Sequence, residues 1–265
     1  RQCYFMKIYY KATYTYKIYR MFLSELEGFV TTLGNIALLG LEFFKGLKTF
    51  PTTYKSIMEQ ASRFGVSSLP ITLSIVGMTS VIIAMQIAGE MVKQGAGNYV
   101  GMLVSILMVR EEGVIMAGFA IISMIGSSIA SEIATMRVTE QIDALRCMAV
   151  SPIGYLVVPR LVACMAMLPI LNVFGVVIGV GGGMIVASLS HGVSSYVFMH
   201  SIRVFCVPSD LYIGVIKSII FGMIVALVGC DRGMTCTAGA EGVGKATTQS
   251  VVYSIIMLFA ANYIL

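Results

Sequence analysis

The sequence predicts an all-α integral membrane protein, with an N-terminal interfacial helix, five transmembrane helices, and a short charged helix between the second and third. Three observations carry that prediction. Of 265 residues, 57% are hydrophobic and only 12% are charged, where a soluble domain carries about 25% charged residues. Uncharged runs such as Phe64 to Gly89 meet the roughly 20 residues that a spanning helix needs. The third is Glu132 to Pro152, the only charged, helix-forming segment set between long apolar runs in the middle of the chain. Arg137 and Glu140, or Thr139 and Asp143, stand at helical neighbour spacing there, while Ile133, Met136, Ile142, Leu145 and Met148 supply an apolar side. The segment reads as a short amphipathic helix at a membrane surface, suited to gripping a soluble partner; an ordinary surface loop helix is the alternative.

In chain order, residues 1–63 form a basic tail and an interfacial helix, and residues 64–265 a five-span domain. The net charge of +5 comes largely from Arg1, Lys7, Lys11, Lys17 and Arg20, which face no acidic partner and suit anionic headgroups. The tyrosines interleaved with them, Tyr4 to Tyr19, could serve a nucleic-acid surface, but in so apolar a chain no nucleic-acid partner is expected. Met21 to Phe50 is apolar, yet its longest uncharged run, Gly28 to Leu41, is too short to span, so it lies in the interface or dips into it. The first span is Phe64 to Gly89, with Pro70 as a tolerated kink, followed by a polar turn, Glu90 to Asn98. The second runs from about Tyr99 to Ser131, with Arg110, Glu111 and Glu112 in its first half. The third covers about Leu156 to Leu189, with Pro169 and the run Gly181-Gly182-Gly183 allowing bends or close contact. A mostly polar external segment carries His191, His200, Arg203 and Asp210. The fourth span, about Leu211 to Cys230, holds Lys217, and the loop Asp231 to Lys245 leads to the fifth, Ala246 to Leu265.

Lysine and arginine placement sets the orientation. With the N-terminus cytoplasmic, the inside segments hold nine such residues before Phe64, then Arg137, Arg146, Arg160, Arg232 and Lys245, against Lys93 and Arg203 outside. The central helix is therefore expected in the cytoplasm and the C-terminus on the opposite side. The early apolar stretch has no small-residue cleavage site behind it, so no cleavable signal is read.

Little in the chain suggests catalysis. Gly239 to Ala246 nearly matches a phosphate-binding loop, but Ala246 stands where Mg²⁺ needs a hydroxyl and no strand precedes it. The two histidines are isolated, and no nucleophile or paired-carboxylate arrangement can be assembled. Cys3, Cys147, Cys164, Cys206, Cys230 and Cys236 show no CxxC pair and read as small core residues, with no metal site and no disulfide framework. The intramembrane charges are the oddest feature. Glu111 and Lys217 fall at depths close enough for the long lysine side chain to reach a carboxylate, and a charge at such depth is expected to find a partner or a water-filled cavity. A different class would use the same residues: an ion- or proton-coupled secondary transporter with Glu111, Glu112 and Lys217 as a relay, though the chain lacks the internal repeat such folds often show.

The segment Glu132-Ile-Ala-Thr-Met-Arg-Val-Thr-Glu-Gln-Ile-Asp-Ala-Leu145, with Met148-Ala-Val-Ser-Pro152 and Leu156-Val-Val-Pro-Arg160, resembles the signature of the MlaE/YrbE permeases, membrane subunits of ABC transporters that work with MCE proteins. Val109-Arg-Glu-Glu-Gly113, Ile216-Lys217-Ser218 and Glu241 to Val252 resemble further family motifs, over roughly Ser67 to the C-terminus. The resemblance implies a non-catalytic permease that forms a homodimer. Its Arg137, Glu140 and Asp143 would couple to cytoplasmic ATPase subunits, and Arg110, Glu111, Glu112 and Lys217 would line the substrate path, with Glu111 paired to Lys217, Arg110 available to a lipid phosphate, and Glu112 lining the cavity or meeting the second protomer. It further implies an MCE-domain partner exchanging phospholipid or a related lipid, no cofactor in this chain, and ATP with Mg in the partner. The membrane implied is a bacterial inner membrane or an organelle membrane of bacterial origin. Glu112, Val114 and Met124 depart from the family pattern, where an apolar residue, Pro and Arg are usual.

Overall fold

The computed structural model describes residues 28, 31–42, 54–237 and 239–265, and these are helical nearly throughout. Helix α1 covers residues 31–42. Five helices are long and apolar enough to cross a membrane: α2, Tyr54–Lys93; α3, Gly97–Val138; α5, Ile153–His191; α7, Pro208–Met234; and α8, Ala240–Ile264. Two short helices complete the set, α4, Gln141–Cys147, and α6, Ser195–Phe205. Every helix overruns the apolar run that announced it, because a backbone hydrogen-bonded within itself continues into the headgroup layer at no desolvation cost. The clearest case is α2, whose 40 residues begin ten before Phe64.

Lipid tails are as apolar as leucine, so the spans associate by close packing rather than by the hydrophobic effect. On α2, Thr72, Val76, Ser80, Ala84 and Ala88 are buried at intervals of four. Facing them on α5 are Gly175, Gly179, Gly183 and Ala187. A Cβ at Gly175 would lie 3.1 Å from Val76 and one at Gly183 would lie 3.0 Å from Ala84, and Ser80 Oγ donates to the Gly179 carbonyl at 2.7 Å. The two helices run in parallel, in constant register. α3 and α7 do the same: Gly126 meets Val225, Gly229 meets Ile129 and Gly233 meets Ile133. Partners such as Ser80–Gly179, Arg110–Asp210 and Ser105–Cys206 stand 99, 100 and 101 residues apart. The α2–α3 half thus lies beside the α5–α7 half in a repeating register, a regularity expected to be absent from the sequence and carried instead by geometry. Ile121, Ile129, Ile133, Leu161, Leu168, Phe221 and Leu258 fill the core between the halves.

Three sequence expectations change. Glu132 to Pro152 is not one helix. Residues up to Val138 continue α3, Glu140 takes a left-handed backbone (φ 58°), and α4 is a separate helix of seven residues. The external segment before Asp210 is not a plain polar loop, for it contains α6. The loop before the fifth span is mostly helix: α8 starts at Ala240, so Gly239 to Ala246 forms its first turns, and the Val243 amide is already spent on the Gly239 carbonyl at 3.3 Å.

Met21 to Phe50 lies largely outside the described residues. Within α1, Thr32 and Ile36 are buried, while Leu38 and Leu41 are exposed. A Cβ on Gly40 would reach Leu227, so α1 lies against α7.

Candidate functional site

The charges of the second span sit where α3 departs from α-helical winding. Met108–Glu112 is a π-turn, closed by the Gly113 amide donating to the Met108 carbonyl, a feature that concentrates at functional positions. Glycine at 113 is required because that carbonyl occupies the space a Cβ would take. Arg110 and Glu111 both reach α7, at residues two helical turns apart. Arg110 Nε donates to Asp210 Oδ1 at 2.8 Å, and Nη2 joins the same oxygen. Lys217 Nζ donates to Glu111 Oε1 at 2.9 Å, as expected, and to Asn262 Oδ1 at 3.2 Å. Asn262 Nδ2 closes the triangle on Glu111 Oε2 at 2.8 Å.

Burial within these pairs is lopsided. The Lys217 side chain is 5% exposed and Asp210 5%, whereas Glu111 is 43% and Arg110 50% exposed. Each pair therefore has one member locked in the protein and one facing open space, an arrangement that lets a passing charged group engage the exposed member while the buried one holds it in place. Arg110, expected to be available to a phosphate, is instead anchored by Asp210; one guanidinium edge is spent on that carboxylate. Glu112 forms no ion pair with another described residue. Sequence reasoning missed Asp210 and Asn262. Both lie near the ends of their spans, where a polar side chain is ordinary, and only the tertiary register brings them to the charges.

A second cluster gathers at the other end of α3. Glu132 is shared between Arg63 of α2 and Arg160 of α5, the latter at 3.1 Å, and the Arg160 side chain is 7% exposed. Five residues on, Arg137 Nη1 holds both Asp143 oxygens at 2.9 Å across the break before α4, and Arg146 adds a contact to Asp143 at 3.2 Å. These bonds fix the corner that presents α4. Ala149 (φ 56°) ends it in a left-handed conformation, where glycine is usual. Of the three residues expected to face a partner, Arg137 and Asp143 grip each other, and Glu140 is exposed at the corner. Beside them Met148, Val150 and Tyr155 are exposed apolar side chains.

Among the described residues no group of three or more His, Cys, Asp or Glu side chains is placed to hold a metal.

Comparison with known proteins places this architecture. The description of the MlaE permease family matches residues 57–265. A probable ABC transporter permease protein of Synechocystis is 37% identical over 211 residues, covering 80% of each chain. One from Rickettsia prowazekii is 34% identical over 237 residues, 89% of this chain and 92% of its own. A third, from the red alga Porphyra purpurea, is 36% identical over 232 residues and 88% of both chains. The five long apolar helices, the surface-presented α4 and this coverage lead to one conclusion: the chain belongs to the MlaE permease family and is an ABC transporter permease subunit.

Proposed function

We propose that this permease moves phospholipid, or a closely related lipid, between its membrane and an MCE-type lipid-binding partner, working as a homodimer driven by ATPase subunits docked at α4. The α4 end is then cytoplasmic, as the lysine and arginine distribution requires, and the C-terminus of α8 lies on the opposite side. The observation that carries the reading is the half-exposed pair of charges within the spans. An isolated charge at a helix centre costs at least about 2.5 kcal/mol on insertion scales. The protein keeps Arg110, Glu111, Glu112 and Lys217 within its spans, and Arg110 and Glu111 are about half exposed. A phospholipid headgroup has the chemistry to use both: Arg110 for the phosphate, in a charge-assisted fork, and Glu111 for a cationic or hydroxylated headgroup. Asp210 and Lys217 keep each site neutral when no lipid is present.

The ATPase contact follows from α4. Its corner is held by Arg137–Asp143, leaving Glu140, Arg146 and the apolar side chains of Met148 and Val150 for the partner. The test is reconstitution of the permease with its ATPase and MCE partner in liposomes, following a labelled phospholipid. Transfer that depends on ATP is expected, and recovery of the ATPase with the permease should be lost in the Arg137→Glu, Glu140→Lys double variant. Undiminished ATPase recovery by the double variant would remove the docking role, and lipid transfer that ignores ATP would remove the function.

A further inference from the structure

Helix α6 is not where a polar external loop would put it. A side chain at Gly101 would collide with the Phe198 carbonyl and Ser201 Oγ, so α6 lies directly against α3. Cys206 Sγ is 3.1 Å from Ser105 Oγ, and Asp210 reaches Arg110. Successive residues of the segment thus meet successively deeper residues of α3. Ser105 is eight residues into that helix from Gly97, or roughly 12 Å at 1.5 Å per residue, so the segment descends into the membrane from the end opposite α4. Phe198 and Ser201 face α3 and are buried, whereas Tyr196, Met199, Val204 and Phe205 are 78%, 40%, 57% and 42% exposed. No acidic residue occurs from Gly192 to Ser209, and the one formal charge there is the exposed Arg203. Exposed apolar and aromatic side chains around much of the helix, a single formal cation among them and a position between two spans are the marks of a helix seated at the headgroup–acyl boundary. Between α6 and the start of α3 lies a cavity of about 410 Å³ whose walls include Asn98, Tyr99, Tyr196, His200, Val204 and Phe205.

From this we infer that α6 is a lipid-binding element of the leaflet opposite α4: its exposed side chains lie at the headgroup–acyl boundary of that leaflet, and the cavity holds one acyl chain of a glycerolipid against its rings, with Asn98 and His200 toward the headgroup oxygens. The occupant is a lipid and not a soluble partner, because the segment runs down α3 from Gly101 to Arg110 toward the charges within the spans, and no acidic group is offered to a basic partner. The element leads toward Asp210 and Arg110, so lipid held there stands beside the membrane-embedded charges.

The chain contains no tryptophan, so a single tryptophan in it is read as the difference from the emission of the assembled transporter without it. Val204→Trp and Phe205→Trp, both at exposed positions, would be measured in the assembled transporter in bilayers of phosphatidylcholine with or without bromine on the acyl chains, with Ile216→Trp, exposed on α7, as the spanning reference and a free tryptophan amide in solution as the aqueous one. The expected result is blue-shifted emission that brominated lipid quenches at both α6 positions about as strongly as at Ile216→Trp, with aqueous iodide having little effect. Quenching by iodide instead would place α6 in water, and resistance to both quenchers would mean that another protein covers it; either result overturns the inference. Quenching reads where α6 sits and not what the transporter moves, so its failure leaves the proposed function standing.

Discussion

Lys217 carries its charge at 5% side-chain exposure with two acceptors, Glu111 and Asn262, and a more distant third in the Arg110 carbonyl at 3.4 Å. Asn262 is the residue that turns a pair into a triangle, donating to the carboxylate while accepting from the ammonium. Replacing it with leucine keeps the volume and removes both bonds. A hydrogen bond to a charged group contributes about 1.5–3 kcal/mol, so Asn262→Leu should lower the apparent Tm of the purified complex. Asn262→Asp should lower it further, since a second carboxylate then stands beside Glu111. Equal Tm values for the wild type and both variants, read by thermal unfolding, would contradict the triangle. The Glu111–Lys217 contact was legible in the sequence because the two fell at similar depth and the family resemblance matched both positions. Asp210 and Asn262 were not, since nothing in their local sequence separates them from the polar residues that commonly end a span. Nor could Glu132 be told from its neighbours: its resemblance to a family motif marked the segment, but its bonds run to Arg63 and Arg160, 69 and 28 residues away.

At the scale of the elements, α2 and α5 depend on the absence of side chains along one line. A Cβ at Gly179 would stand 3.0 Å from both Ser80 and Met108, while one at Gly181, two residues on, meets nothing within 4 Å. Both positions gain helix propensity of roughly 1 kcal/mol on losing glycine, but overpacking at a closed contact costs about 1–3 kcal/mol. Gly179→Leu should therefore destabilise the protein and Gly181→Leu should leave it as stable or more so. Comparable losses in both, measured as the fraction surviving heating in detergent, would count against the packing described. The element boundaries explain what sequence patterning could and could not supply. Long apolar runs announced all five spans, since hydrocarbon thickness sets a length that composition reports directly. The break at Glu140 was hidden because a left-handed glutamate carries no sequence mark, unlike the glycine that usually fills such a position. α6 was hidden because Ser, His and Arg dilute an apolar face that only its packing on α3 defines.

For the whole molecule, the two halves stand in register, and the membrane-embedded charges lie on the seam between α3 and α7. α3 alone connects everything that the proposed function needs: the π-turn with Arg110 and Glu111, the shared Glu132, and Arg137 at the corner that presents α4. A movement imposed on α4 would therefore be felt along a single continuous helix, with a second π-turn at Ile122–Gly126 between the two clusters. The central claim is that the Glu111–Lys217 pair lines the lipid path, and charge exchange in the reconstituted transporter tests it most directly. Removing one partner of a buried pair costs about 3–5 kcal/mol, so protein levels must be matched before rates of phospholipid transfer are compared. The account predicts that Glu111→Lys and Lys217→Glu are each inactive and that the double exchange regains part of the activity, whereas full transfer by either single variant would contradict it.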